Sequence, residues 1–301
     1  MKTGIQGIRI RRAVGVAVTT GAMLATGALY SAPAQAATAP TIAAKGGYVM
    51  NNANGKTLYT KAADTKRSTG STTKIMTALV VLKQSNLNLD AKYTVPKAVS
   101  DYIVDKGYPS SAGLIVGDKV TVRQLLHGLM LPSGCDAAFA LADKFGTGST
   151  RSARQKSFIG KMNTTAKSLG LKNTHFDSFD GLSNGANYST PRDLTKLASS
   201  AMKNSTFRGV VKTKQYTAKT ITRSGGTRTM PTWKNTNPLL GTYTGAIGVK
   251  TGSGPQSKYC LVFAATRGGK TVIGTVLAST NETTRATDAK KLLNHGFAQL
   301  G

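Results

Sequence analysis

The chain has 301 residues, 40 of them Lys or Arg and 12 Asp or Glu, which gives a formal net charge of +28. The basic residues are scattered, with no run of five and no finger or zipper pattern, which excludes a dedicated nucleic-acid module. His127, His175 and His295 lie far apart and share no ligand-like spacing, so no metal or other cofactor is expected.

In chain order, the first segment reads as an export signal. Lys2, Arg9, Arg11 and Arg12 form a basic start, an apolar stretch covers 13–29, and Ala34-Gln35-Ala36 offers small residues for cleavage before Ala37. Taking those four basic residues from +28 leaves +24 on the chain from 37 to 301. That length supports one large core or two closely packed lobes. Surplus positive charge on an exported protein points to anionic cell-wall polymers rather than to nucleic acid. No other segment is long and apolar enough to span a bilayer. The expectation is a secreted monomer at the outer membrane face or in the cell wall, with neither an anchor nor an extra C-terminal domain.

Residues 41–59 read as a hairpin, with Gly47-Tyr48-Val49-Met50 and Thr57-Leu58-Tyr59-Thr60 flanking the tight-turn pair Asn54-Gly55. The apolar run 75–82 predicts a buried helix, placing Ser71 at or just before its start and Lys74 one turn later. Three-and-four spacing predicts helices over 122–130, 137–144, 157–169 and 193–202, the last opened by Thr190-Pro191. Strand signals return at 210–211, 216–223 and 227–233, the latter two around Gly225-Gly226. Segments 261–266 and 271–277 pair across Arg267-Gly268-Gly269-Lys270, and 284–300 is a final amphipathic helix. With strands at both ends and helices between, the pattern predicts an α/β (α+β) fold. One antiparallel sheet forms from 37–85 and 208–301, flanked by helices, and a mostly helical lobe is inserted at 86–207.

Three motifs carry chemistry. In Ser71-Thr72-Thr73-Lys74 the serine and lysine share one helix face, so a neutral lysine can take the serine proton. Burial and repulsion from a second ammonium, assigned to Lys250, would bring Lys74 to that state. The Ser71 N–H, near the positive end of the helix dipole, can face an oxyanion. Ser133-Gly134-Cys135 lies between two helices, where its hydroxyl can relay a proton to a leaving amine, although the pair also suits a plain turn. Lys250-Thr251-Gly252 follows Ile247-Gly248-Val249 on a strand. There Lys250 and Thr251 can hold a carboxylate, Gly252 leaves room for a ligand, and the Ser253 N–H gives a second oxyanion donor. Ser200-Ala201-Met202-Lys203 repeats the first pattern deep inside a helix and is discounted. Cys135 and Cys260 are expected to be free thiols, because a bridge would tie opposite walls of this cleft together.

The ordered set Ser-x-x-Lys, Ser-Gly-x and Lys-Thr-Gly resembles that of penicillin-binding proteins and class A β-lactamases. Residues 67–78, 128–138, 180–182 with 188–194, and 245–252 resemble four segments of the low-molecular-mass D-alanyl-D-alanine carboxypeptidases and transpeptidases. Within that family the chain is most like small exported actinobacterial DD-transpeptidases with a cysteine in the second motif. The resemblance implies a β-lactamase/transpeptidase-like fold and a serine enzyme of peptidoglycan synthesis. Its catalytic residues would be Ser71, Lys74 and Ser133, and its substrate-binding residues Cys135, Lys250, Thr251, Gly252 and Ser253. Substrates would be stem peptides ending in D-Ala-D-Ala, and β-lactams would acylate Ser71. Cys135 stands where most of the family has Asn, and a thiol is a much weaker donor and acceptor than an amide. A β-lactamase is the first alternative, but the chain's single glutamate, Glu282, lies outside the stretch between the second and third motifs. A non-catalytic wall-binding protein is the second, and it would have no need of Ser71, Lys74, Ser133 and Lys250 together.

Overall fold

Asn54 and Gly55 turn the chain back on itself as their sequence predicts, with Gly55 at φ +73° and strands β1 (Gly46–Asn51) and β2 (Thr57–Lys61) on either side. The structure, a computed structural model, describes residues 38–183 and 185–301, together with residues 1, 3, 4, 13 and 15. The expected export signal therefore lies almost wholly outside the described residues. The chain divides into two units, Met1–Ala36 and Ala37–Gly301.

After β2 a 3-10 turn (Gly70–Thr73) leads into helix α1 (Lys74–Leu82). The middle of the chain supplies β3 (Lys92–Thr94), α2 (Lys97–Asp105), β4 (Lys119–Thr121), α3 (Val122–Met130), α4 (Cys135–Phe145), α5 (Arg151–Ser168), α6 (Pro191–Ala201) and α7 (Ser205–Lys212). Four short strands follow: β5 (Gln215–Tyr216), β6 (Lys219–Ile221), β7 (Thr227–Thr229) and β8 (Trp233–Lys234). Three long strands, β9 (Ala246–Gly254), β10 (Lys258–Arg267) and β11 (Lys270–Ser279), precede the closing helix α8 (Glu282–Ala298).

The main sheet is antiparallel, in the order β2-β1-β11-β10-β9, so the first strands pair directly with the last. Alternate residues face opposite sides. Val49, Leu261, Phe263, Val272 and Val276 pack with Leu292 and Leu293 of α8, whereas Tyr48, Met50, Val262, Ala264 and Ile273 join the core that contains α1 and α6. Removing one such buried leucine from water contributes about 2 kcal/mol. Helix α1 is buried at every position from Lys74 to Val81 and touches α3, α4, α5, α6 and α7. A helix apolar on all sides is stable only in the centre of a bundle, and the nucleophile segment is fixed there.

Two expectations are corrected. Val210-Val211 lie in α7, not in a strand: Phe207, Val210 and Val211 form its buried face, and Asn204 caps it by accepting from the Phe207 N–H at 3.0 Å. The strands after 212 also do not all join one sheet. Strands β6 and β7 extend β4 and β3 into a four-stranded sheet, and β5 pairs with β8 alone. These strands, two or three residues long, are too short to show an alternating pattern.

Asp118 clamps the small sheet. Its carboxylate is 1% exposed and accepts from Thr220 Oγ1 at 2.7 Å and from Arg228 Nε at 2.9 Å. Asp118→Ala leaves the buried Thr220 hydroxyl without its acceptor, and is expected to cost about 1–3 kcal/mol in urea unfolding.

Candidate active site

The 3-10 turn that carries Ser71 is braced from below by three buried side chains. Thr69 and Thr73 share a hydrogen bond at 2.8 Å, and Asn187 Nδ2 donates to Thr73 at 2.8 Å and to Thr69 at 3.1 Å. Gly181, at φ +93°, lies so close to the turn that a Cβ there would meet the Gly70 carbonyl oxygen at 2.1 Å. Lys74, fully buried, reaches Ser71 Oγ at 2.8 Å, the Asp180 carbonyl oxygen at 2.8 Å and Cys135 Sγ at 3.4 Å. The i, i+3 spacing thus brings the serine and lysine into contact, as the motif predicts.

The facing wall begins where α3 ends. Ser133 sits at φ +67°, and its buried Oγ has no protein partner. Gly134 then caps α4, which opens with Cys135. The Cys135 N–H donates to the Ser110 carbonyl at 2.8 Å. Asp136, 1% exposed, accepts from the Ala112 and Ala137 N–H groups at 2.8 Å, from the Leu114 N–H at 3.0 Å and from Ser111 Oγ at 2.6 Å. One carboxylate thereby pins the 110–114 segment to the second motif. Cys135 and Cys260 are both free and buried. Burial raises the Cys135 thiol above its ordinary range, with Lys74 pulling the other way, and burial pushes Cys260 up to about 11.

Strand β9 forms the third side. A Cβ on Gly252 would lie 2.7 Å from the Thr69 carbonyl oxygen, so its bareness lets the strand dock on the nucleophile turn, while the residue also lines the cleft. Lys250 is 1% exposed and donates to the Thr251 carbonyl at 3.1 Å. Burial first, and repulsion from Lys74 second, hold its amine well below the ordinary lysine range. Thr251 Oγ1 pairs with Thr236 Oγ1 at 2.6 Å.

Ser71, Ser133, Cys135, Thr251, Gly252 and Ser253 all line one cleft of about 570 Å³, with Lys74 and Lys250 buried rather than lining it. Ser110, Thr236, Leu182, Glu282 and Arg285, none of them in a motif, also line it. Arg285, 4% exposed, donates from Nη1 to the Gly252 carbonyl at 3.4 Å and lies 3.6 Å from Glu282. A smaller pocket of about 270 Å³ adjoins across Leu182 and Ser253 and contains Lys106. Among the described residues no group of three His, Cys, Asp or Glu side chains could hold a metal, and no helix is long and apolar enough to cross a membrane.

A serine bonded to a buried lysine, opposite a free hydroxyl and beside an antiparallel edge strand, defines a serine acyl-transfer enzyme of the penicillin-binding fold. Comparison with known proteins agrees. Residues 33–281 match the Peptidase_S11 family, described as D-alanyl-D-alanine carboxypeptidase. The D-alanyl-D-alanine carboxypeptidase of Streptomyces sp. (strain K15) is 74% identical over 291 residues, covering 97% of this chain and all of the relative. The crystal structure of the Streptomyces K15 DD-transpeptidase superimposes with a TM-score of 0.86 at 78% identity, covering 87% of this chain and 99% of that one. D-alanyl-D-alanine carboxypeptidase DacC of Escherichia coli (strain K12) is 34% identical over 272 residues, 87% of this chain, which spans 63% of that relative's length. The chain belongs to the Peptidase_S11 family of D-alanyl-D-alanine carboxypeptidases.

The state of Lys250 has a thermodynamic signature. Below its usual value of about 10.4, the unfolded lysine keeps a proton that the folded site rejects, so stability rises with pH from the lowered folded value up to that limit. Lys250→Met is expected to raise the denaturation midpoint at neutral pH, and to flatten its rise towards pH 10, when urea unfolding is followed across that range.

Proposed function

We propose that the chain is a serine-type D-alanyl-D-alanine transpeptidase and carboxypeptidase acting on peptidoglycan stem peptides through an acyl-enzyme on Ser71. The contact of Lys74 Nζ with Ser71 Oγ at 2.8 Å, in a cleft that also holds the unpartnered Ser133 hydroxyl, carries the proposal. Ser71 Oγ attacks the carbonyl carbon of the penultimate D-Ala while unprotonated Lys74 takes its proton. The N–H groups of Ser71 and Ser253 stabilise the oxyanion. The C–N bond then breaks, Ser133 passes a proton to the departing D-Ala amine, and an ester remains on Ser71. An amine completes transpeptidation and water completes carboxypeptidation. Thr251 and Ser253 meet the terminal carboxylate, with Arg285 as the cation that faces the cleft and Lys250 buried behind Thr251. β-Lactams imitate the dipeptide and acylate the same oxygen.

Residues 1–36 are assigned as a cleaved export signal and 37–301 as the catalytic domain, a boundary supported by the division of the chain after Ala36. The processed enzyme acts as a monomer outside the membrane, and its net charge of +24 suits anionic wall polymers. A class A β-lactamase uses a glutamate that activates deacylating water. Glu282 lines the cleft, but it lies beside Arg285 at 3.6 Å. A wall-binding protein without activity would not require the Ser71–Lys74 contact.

Intact-protein mass spectrometry with peptide mapping after benzylpenicillin exposure is expected to show a long-lived adduct on Ser71. Lys74→Ala should slow its formation by about 100-fold or more. An adduct that clears within seconds favours the β-lactamase, and none at all favours the binding protein. Modifying the Cys135 thiol should block acylation. Because burial holds that thiol above its ordinary range, modification should accelerate about tenfold per pH unit between 7 and 9. Full acylation by completely modified protein would remove Cys135 from the site.

A further inference from the structure

An acyl donor that threads this cleft brings more than its scissile bond. The amide carbonyl preceding the acylated residue enters between the walls and, once stripped of water, needs a donor. The wall formed by the second motif has three polar side chains that line the cleft: Ser133, Cys135 and Ser110. Ser133 is committed to the leaving amine. The Cys135 thiol is a weak donor. It already accepts from Lys74 at 3.4 Å, and its own reach to the Ser133 carbonyl is 4.0 Å. Burial keeps the thiol protonated, but that does not make it a good donor.

Ser110 is the remaining group. Its Oγ lies 3.9 Å from Cys135 Sγ and donates to the Ser133 carbonyl at 2.8 Å. The residue is exposed, so a ligand can reach the hydroxyl. Its main chain is fixed, because the Ser110 carbonyl accepts from the Cys135 N–H and the neighbouring 111–114 segment hangs on Asp136. A rotation of one side-chain torsion swings the hydroxyl proton from the Ser133 carbonyl into the cleft without moving the backbone. We propose that Ser110 is a substrate-binding residue whose hydroxyl, beside the Cys135 thiol, donates to the amide carbonyl preceding the acylated residue of the donor. It supplies there the donor that the thiol cannot. The assignment rests on the acyl-enzyme proposed for Ser71, and it explains how a cleft with cysteine at this position still fixes its substrate.

The test compares two β-lactams with the same ring system. Benzylpenicillin carries a side-chain amide carbonyl and 6-aminopenicillanic acid does not. Second-order acylation rate constants are measured with each for the wild-type protein, Ser110→Ala and Ser110→Thr. Losing one neutral hydrogen bond should cost Ser110→Ala about tenfold with benzylpenicillin and less than about twofold with 6-aminopenicillanic acid, and Ser110→Thr should recover most of the loss. Equal losses with both compounds would mean that Ser110 only steadies Ser133, and would overturn the proposal, as would no loss with either. If the wild-type protein forms no Ser71 adduct with either compound, the acyl-enzyme reading itself fails and this inference falls with it.

Discussion

A lysine with no exposure to solvent dictates how the centre of this molecule is built. An amine taken out of water must have its hydrogen-bonding capacity met. Lys74 meets it with three groups from three separate segments: Ser71 Oγ on its own turn, the Asp180 carbonyl and the Cys135 thiol. Each contact fixes one wall of the cleft. The turn is held by Thr69, Thr73 and Asn187, Asp180 is anchored through its carboxylate by the Tyr102 hydroxyl at 2.6 Å, and α4 is tied to the 110–114 segment through Asp136. The site is thus assembled around the amine, and the hydrophobic packing of α1 keeps that amine from reaching water.

Much of this was legible in the residues. The three motifs name the serine, the lysine, the second hydroxyl and the strand, and the hairpin, the buried helix and the β10–β11 pair follow from turn chemistry and apolar spacing. What the sequence hid is set by contacts between distant residues. Asp136 looks like one more acidic residue at a helix start until its bonds to 111–114 are seen. Arg285 stands 33 residues from the carbonyl it reaches. That the missing Cβ of Gly252 also lets β9 dock against Thr69 is visible only in the fold. That Lys250 is buried with a single carbonyl partner, and its amine held below the ordinary lysine range, is likewise visible only in the fold.

The scarcity of acidic residues bears on the same point. Asp118, Asp136, Asp143, Asp180, Asp193 and Asp288 are all buried, and each accepts hydrogen bonds inside the protein. About half of the 12 carboxylates are therefore spent on holding loops and strands, and few remain to balance the cations outside. The basic surface and the ordered interior have a common origin in where the aspartates are used.

The place of β1 in the main sheet has a consequence for the order of events during synthesis. Residues 46–51 pair with 272–277, so a strand made near the start cannot complete its hydrogen bonding until nearly the whole chain exists. Contacts so distant in sequence close late and slowly. Strand β9, which seats the nucleophile turn, is itself joined to β1 only through β10 and β11. A nascent chain consequently holds Ser71 and Lys74 on an unsupported segment, and reactivity towards acyl donors arises only when the last strands arrive.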